Sequence, residues 1–203
     1  YKARETSLND IPMVIGRTGW SGELSYELYL QDRKLGNELF EIVHEAAKEF
    51  NASVIAPNTI RTIEGGLLSY QSDFGREHNP YTIGLDRLVD VDQDIDFIGK
   101  EALKKIKEDG ISEKLVGVEI DGDPIQKAPE NFWPVFDVNS NKIGRLSRCF
   151  YSPRLKKNIG LAIIDMKFTE PGTSLVIESP KAHLNAQVHE LPWFPAEKST
   201  NLD

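Results

Sequence analysis

The residues of this chain whose types and spacing could do chemistry follow a short glycine-rich turn. Ser25, Glu27 and Tyr29 stand at alternate positions just after the Gly-Trp-Ser-Gly sequence at 19–22. In an extended strand, alternate side chains share a face, which would set a carboxylate between a hydroxyl and a phenol. Such a face could bind a polar ligand. From these residues alone, the alternative is a solvent-exposed strand face with an ordinary glutamate.

The elements that must position this face are two strand-like runs on either side of the turn. Residues 11–18 and 23–30 predict a β-hairpin, because the glycines between them permit a tight connection. On the second run, the face opposite Glu27 is apolar. We predict that it belongs to the core; it consists of Leu24, Tyr26, Leu28 and Leu30.

Helical spacing of apolar residues follows the hairpin. Residues 34–50 predict an amphipathic helix that ends near Asn51. Asn58 is a candidate N-cap for a second helix that runs to about Tyr70, and residues 99–108 predict a short helix closed by Gly110. Short apolar runs at 53–56 and 85–91 predict strands.

The pattern changes near residue 110, from mixed helix and strand to strands alone. Six runs separated by turn-forming residues predict a small sandwich or barrel; they lie near 115–120, 133–138, 142–151, 159–166, 174–178 and 183–191. The fold class is therefore α+β. We expect an α+β domain over residues 1–110 and an all-β domain over residues 111–203.

Composition limits the kinds of partner. With 39% hydrophobic and 28% charged residues the chain is globular, and its net charge of −8 disfavours nucleic acid as the main ligand. No apolar run approaches the roughly 20 residues that span a bilayer, and no His/Cys cluster predicts a metal site. The single Cys149 cannot form an internal disulfide, which favours a cytoplasmic location. The chain begins with Tyr1 rather than Met, so we expect a further N-terminal part in the natural protein.

Four sequence runs carry a resemblance to a known family. Residues 17–29 (RTGWSGELSYELY) resemble "RTGYTGE-x-x-[FY]-E-[IL]-Y", and 63–67 (IEGGL) resemble "LEAGL". Residues 96–103 (DFIGKEAL) match "DFIGKEAL", and 152–162 (SPRLKKNIGLA) match "SP-x-L-x-x-NIGLA". These are motifs of the glycine cleavage T-protein, or aminomethyltransferase, family, and they occur in the right order over about residues 14–192.

The resemblance implies a folate-binding α/β sandwich portion followed by a six-stranded β-barrel domain, with tetrahydrofolate as cofactor. It implies that Glu27 binds the pterin, and Trp20 is a candidate for an aromatic wall of the pocket. Tyr29 shares the strand face of Glu27 and should reach the same pocket, with a surface tyrosine as the alternative; both rings are candidates to hold a cationic donor. Packing within the turn is the alternative role for Trp20. The family's catalytic aspartate would lie before Tyr1, so no catalytic residue is assigned. Arg145, Arg148 and Arg154 are predicted to be solvated barrel charges, with the glutamate tail of folate as the alternative contact.

One departure bears on the reaction. The family's usual "ARD" arginine falls on Asn58, and the run at 57–70 (PNTIRTIEGGLLSY) is similar to dimethylsulfoniopropionate demethylase members. We therefore expect methyl transfer from a small sulfonium donor to tetrahydrofolate. The alternatives are an aminomethyltransferase served by a lipoyl carrier protein, and a non-catalytic folate-binding module of a sarcosine or dimethylglycine oxidase. A homodimer is also left open.

Overall fold

The computed structural model describes residues 2–194. It opens with an antiparallel sheet in which β1 (Ala3–Leu8), β2 (Ile11–Gly16) and β3 (Glu27–Leu30) lie in chain order. The predicted hairpin is present, since Met13 pairs with Leu30. β1 was not predicted, and all six of its side chains are exposed, so it shows none of the alternation that signals a half-buried strand.

The apolar face predicted for the second hairpin strand is largely wrong. β3 begins only at Glu27, because the chain bends through the preceding turn. Leu24, Tyr26 and Leu28 are 43%, 50% and 37% exposed. Leu30 alone of that set packs on the small core of this part, which is formed by Ile11, Met13 and Leu39.

Three helices follow the sheet. α1 (Gly36–Lys48) comes after one 3-10 turn, and α3 (Lys100–Asp109) ends at Gly110, which has a φ of +81°. α2 (Thr59–Glu64) starts at its predicted N-cap Asn58 but stops well before Tyr70, because two glycines follow it and Gly66 has a φ of +63°. The predicted strands at 53–56 and 85–91 are wrong; the second contains a 3-10 turn instead.

The six predicted strands of the second half are confirmed as a closed antiparallel barrel. They are β4 (Glu113–Ile120), β5 (Trp133–Phe136), β6 (Lys142–Ser152), β7 (Lys157–Asp165), β8 (Ser174–Glu178) and β9 (His183–His189). Around the barrel the order is β4-β7-β6-β5-β8-β9, and β9 pairs back onto β4. The predicted division at residue 110 falls between α3 and β4 and stays a prediction.

Aliphatic side chains fill the barrel interior. Val118, Val135, Leu146 and Ile164 are fully buried there, together with Cys149. At Gly144 the backbones of β6 and β7 come so close that a Cβ atom would lie 2.2 Å from the carbonyl oxygen of Ile163. No helix within residues 2–194 combines the length and apolar character needed to cross a membrane.

Candidate functional site

The carboxylate singled out by the sequence is held by two hydroxyl groups. Glu27 is the first residue of β3 and is exposed. The Thr18 hydroxyl donates to its Oε2 atom, and the Tyr29 hydroxyl donates to the same atom at 3.0 Å. Within residues 2–194, Oε1 receives no hydrogen bond. The carboxylate is thus fixed through one oxygen, and the other is free to accept from a ligand.

The strand opposite makes room for this arrangement. Gly16 of β2 pairs with Glu27 across the sheet. A Cβ atom at Gly16 would lie 3.2 Å from both the Thr18 hydroxyl oxygen and the Tyr29 ring. A side chain at Gly16 would therefore push against both groups that hold Glu27.

The other two positions proposed from the sequence behave differently. Ser25 does not contact Glu27; its hydroxyl donates to the Glu23 carbonyl oxygen and lies 3.2 Å from the Ser21 hydroxyl, so it supports the turn. Trp20 lies in the turn and is 56% exposed, without a hydrogen bond or ring contact to the rest of residues 2–194. The structure brings Glu27 and Tyr29 together, and the role of Trp20 stays a prediction.

A cleft of about 990 Å³ opens beside the carboxylate. Its walls include the hairpin turn, the residues after α2, the segment 83–87, residues 114–116 of β4 and the end of β9 with the residues that follow it, 189–192. Thr18 belongs to the cleft wall, whereas Glu27, Trp20 and Tyr29 do not. Since Thr18 bonds to Glu27, the carboxylate sits at the margin of a cavity large enough for a cofactor-sized ligand.

A charged cluster borders the same turn. Arg61 Nη1 and Arg154 Nη1 approach Glu23 Oε1 at 3.5 Å and 3.0 Å. Behind them lies Glu64, whose side chain is 4% exposed and accepts from the Ser152 hydroxyl at 2.6 Å. The Arg154 guanidinium also stacks on Phe194, 3.8 Å from the ring centre. The sequence singled out Arg154 alone of this cluster; its side chain is 43% exposed, as predicted for a solvated charge, but it also contacts Glu23 and Phe194.

Glu23, Glu64 and Arg154 of this cluster line a second, smaller pocket of about 140 Å³. This pocket and the large cleft share Gly22, Glu23 and Gly65 as wall residues. The two glycines touch, because a Cβ atom on Gly22 would lie 3.3 Å from the Cα of Gly65. The small pocket and the large cleft therefore adjoin at this contact and share it as a wall.

Arg148 was also predicted to be a solvated barrel charge, and this is wrong. Its guanidinium forms two bonds to the fully buried Asp73, from Nε to Oδ1 at 2.8 Å and from Nη2 to Oδ2 at 2.6 Å. It also donates to the Thr62 hydroxyl at 2.9 Å and to the Leu67 carbonyl oxygen at 2.8 Å. Arg148 therefore joins the barrel to α2 and to the cleft wall that follows it.

Other reactive groups are inert or structural. Cys149 is fully buried inside the barrel, and this burial raises the pKa of its thiol to about 12. The His78 ring is 1% exposed, and its Nδ1 accepts from the Gly75 N–H at 3.0 Å. Residues 2–194 contain no group of three or more His, Cys, Asp or Glu side chains placed to hold a metal ion.

Two family models match the chain in succession. Residues 1–93 match the GCVT N-terminal domain, and residues 113–195 match the glycine cleavage T-protein C-terminal barrel domain. The chain belongs to the glycine cleavage T-protein family. The resemblance inferred from the four sequence motifs is therefore confirmed, and the closed barrel is the barrel of this family.

Named relatives within the T-protein family carry different activities. An aminomethyltransferase of Geobacillus sp. (strain WCH70) is 36% identical over 96% of this chain and 52% of its own length. A dimethylsulfoniopropionate demethylase of Ruegeria pomeroyi is 28% identical over 95% of this chain and 52% of its own length. The chain thus spans about half the length of these curated relatives.

The fold of the T-protein family is also found in a solved structure. The glycine cleavage system aminomethyltransferase T of Bartonella henselae superposes with a TM-score of 0.77, at 20% sequence identity. The match covers 91% of this chain and 50% of that protein. At this identity the likeness supports the fold, in agreement with an α+β region followed by a six-stranded barrel.

Proposed function

We propose that the protein transfers a one-carbon unit to tetrahydrofolate and that Glu27 binds the pterin. The observation that carries this proposal is the fixed carboxylate at the cleft margin. Thr18 and Tyr29 hold one oxygen, and the described residues leave the other oxygen free. Family membership supports the same reaction class, because the relatives named above are an aminomethyltransferase and a demethylase.

The chemistry of the donors fits the carboxylate. The aminopyrimidinone edge of a pterin presents an N–H and an NH2 side by side, and a carboxylate accepts both in the manner of an arginine fork. One of these donors bonds to Glu27 Oε1 directly. The other donor bonds to Oε2 when one of the two hydroxyls that now donate to this oxygen rotates away. Of these hydroxyls, that of Tyr29 is the freer to rotate, because its side chain is half-exposed. When bound, the reduced pterin supplies the ring nitrogen that accepts the carbon.

The variant that tests this proposal is Glu27→Gln in the full-length protein. The amide replaces one acceptor with a donor, and hydrogen bonds to charged groups contribute about 1.5–3 kcal/mol, so tetrahydrofolate affinity should fall at least about tenfold. Glu5→Gln is the matched control, because Glu5 is an exposed glutamate on β1 of the same sheet. Equal affinity of both variants, measured by calorimetry, would contradict the role of Glu27.

For the one-carbon donor, we infer a sulfonium compound such as dimethylsulfoniopropionate. A sulfonium group leaves as a neutral sulfide, so its departure needs no general acid. The exposed rings of Trp20 and Tyr29 could bind the cation, at about 0.5–2 kcal/mol for each ring. Asn58, which stands where many members have an arginine, is a neutral helix cap that accepts from the N–H groups of Ile60 and Arg61.

A second candidate is aminomethyl transfer from a lipoyl carrier protein. The observation in its favour is the 36% identity to an aminomethyltransferase, against 28% to the demethylase. The product distinguishes the two, because a sulfonium donor gives methyltetrahydrofolate and an aminomethyl carrier gives methylenetetrahydrofolate. Folate binding with neither product would instead favour the non-catalytic module of an oxidase.

A further inference from the structure

The charged cluster formed by Glu23, Arg61, Glu64 and Arg154 is not used by the proposed reaction. Two arginines converge on one oxygen of Glu23, at 3.5 Å and 3.0 Å. Both arginine side chains and the Glu23 side chain are between 41% and 52% exposed. The cations therefore face solvent and are covered on that side only by a surface carboxylate.

The arginines are held from behind by buried groups. Glu64 is 4% exposed and lies 3.4 Å from Arg61 and 3.9 Å from Arg154. Its other oxygen accepts from the Ser152 hydroxyl, which anchors the carboxylate on the side away from the arginines. Phe194 supports the flat face of the Arg154 guanidinium. The two guanidinium groups are thus held in place before a ligand binds. Binding therefore costs less side-chain conformational entropy.

Glu23 is held much more weakly than Glu64. Exposed ion pairs contribute little to stability, because solvent and salt screen them. A carboxylate of a ligand can therefore replace Glu23 without breaking a buried contact. An arginine fork matches the two oxygens of a carboxylate, so the arrangement selects that chemical group.

The position of the cluster indicates which carboxylate arrives there. Thr18 joins Glu27 to the large cleft, and Gly22, Glu23 and Gly65 join that cleft to the small pocket beside Arg154. The large cleft therefore borders the proposed pterin site at Thr18 and adjoins the pocket beside Arg154 at Glu23. A folate has its pterin at one end and glutamyl carboxylates at the other.

We propose that Arg154 and Arg61 form a carboxylate subsite that binds the glutamyl tail of folate, and that Glu23 occupies this subsite when no tail is bound. The inference rests on the proposed function, because it takes the pterin to lie at Glu27. It assigns a binding site to the glutamyl end of the folate whose pterin end binds at Glu27. It also makes the length of the glutamyl tail a determinant of affinity.

The test compares three ligands on the full-length protein: tetrahydropteroate, which lacks glutamate, and the monoglutamate and triglutamate forms of tetrahydrofolate. Wild-type protein should bind the glutamylated forms about fivefold to tenfold more tightly than tetrahydropteroate at low ionic strength. Arg154→Ala should reduce this ratio to about one. Glu23→Gln should increase the ratio, because it removes the competing negative charge. An increase in affinity cannot result from a folding defect.

Lys157→Ala is the matched control. It also removes one exposed barrel cation that is paired with a glutamate, Glu119, but it lies outside the cluster. An unchanged ratio in Arg154→Ala, or an equal loss in Lys157→Ala, would overturn the tail subsite. If Arg154→Ala changed only the KM for the one-carbon donor and left the affinity for folate unchanged, the proposal would also be overturned. The arginines would then bind a carboxylate of the donor. Loss of all folate binding in wild-type protein would instead refute the proposed function.

Discussion

Removal of the Asp73 carboxylate should be among the most damaging single changes in this chain. Asp73 is fully buried and accepts four hydrogen bonds: two from Arg148, one from the Ser147 hydroxyl at 2.7 Å and one from the Ser69 N–H at 2.7 Å. Asp73→Ala leaves the Arg148 guanidinium, whose side chain is only 11% exposed, without its counter-charge. Loss of one partner of a buried pair costs about 3–5 kcal/mol, so we expect unfolding free energy to fall by that amount.

The assay is chemical denaturation of the full-length protein, with Arg148→Ala and the double variant completing a cycle. Each single variant should lose several kcal/mol, and the double variant should lose clearly less than their sum, because its second substitution removes a charge that is already unpaired. Lys127→Ala is the control, since its ion pair with Glu130 is mostly exposed and should contribute little. Additive losses, or a loss in Asp73→Ala below about 1 kcal/mol, would refute this account of the pair.

Three further changes test other parts of the structure. Gly144→Ala should destabilise the barrel by about 1–3 kcal/mol or more in thermal unfolding, because its Cβ would meet the Ile163 carbonyl oxygen; a wild-type melting temperature would contradict that close approach. Asn58→Ala should cost about 0.5–2 kcal/mol through loss of the cap on α2, and Asn58→Asp should retain most of it. The Cys149 thiol ionises near pH 9 when unfolded and near 12 when folded, so its contribution to stability is complete below pH 9 and is lost as pH rises toward 12. A thiol reagent should accordingly label it only after denaturation, and rapid labelling of native protein would contradict its burial.

The barrel was predictable from sequence because each strand carries its own signal. The run at 159–166 is apolar and is followed by turn-forming residues, and the structure buries its residues 159–164. The start of α2 was predictable for the same reason, since an N-cap such as Asn58 acts on N–H groups only two and three residues away. Signals that act over a few residues can be read without the fold.

Two of the errors concern pairing with other parts of the chain, and a third concerns the length of a turn. Arg148 looks like a solvated barrel charge, and only the fold brings it to Asp73, 75 residues away. β1 is stabilised by pairing with β2 rather than by burial, so its sequence has no alternating pattern. Leu24, Tyr26 and Leu28 were assigned to a core from alternation alone, but half of the expected strand is a turn. For Arg148 and β1, tertiary pairing that local patterns do not encode determined the outcome, whereas at 23–26 the chain is still in the turn.

The short helix α2 connects the two ends of the proposed folate site. Three of its six residues, Thr62, Ile63 and Glu64, are buried, and each contacts the barrel or the segment after it. Thr62 accepts from Arg148, Ile63 packs in the cluster with Ile159 and Leu161, and Glu64 bonds to Ser152. The two glycines that follow then form the wall shared with the hairpin turn. A change in the docking of α2 would therefore move the cleft wall and the arginine cluster together, while Glu27, on β3, kept its own hydrogen bonds. Variants that loosen α2 should accordingly weaken glutamyl-tail discrimination before they abolish pterin binding.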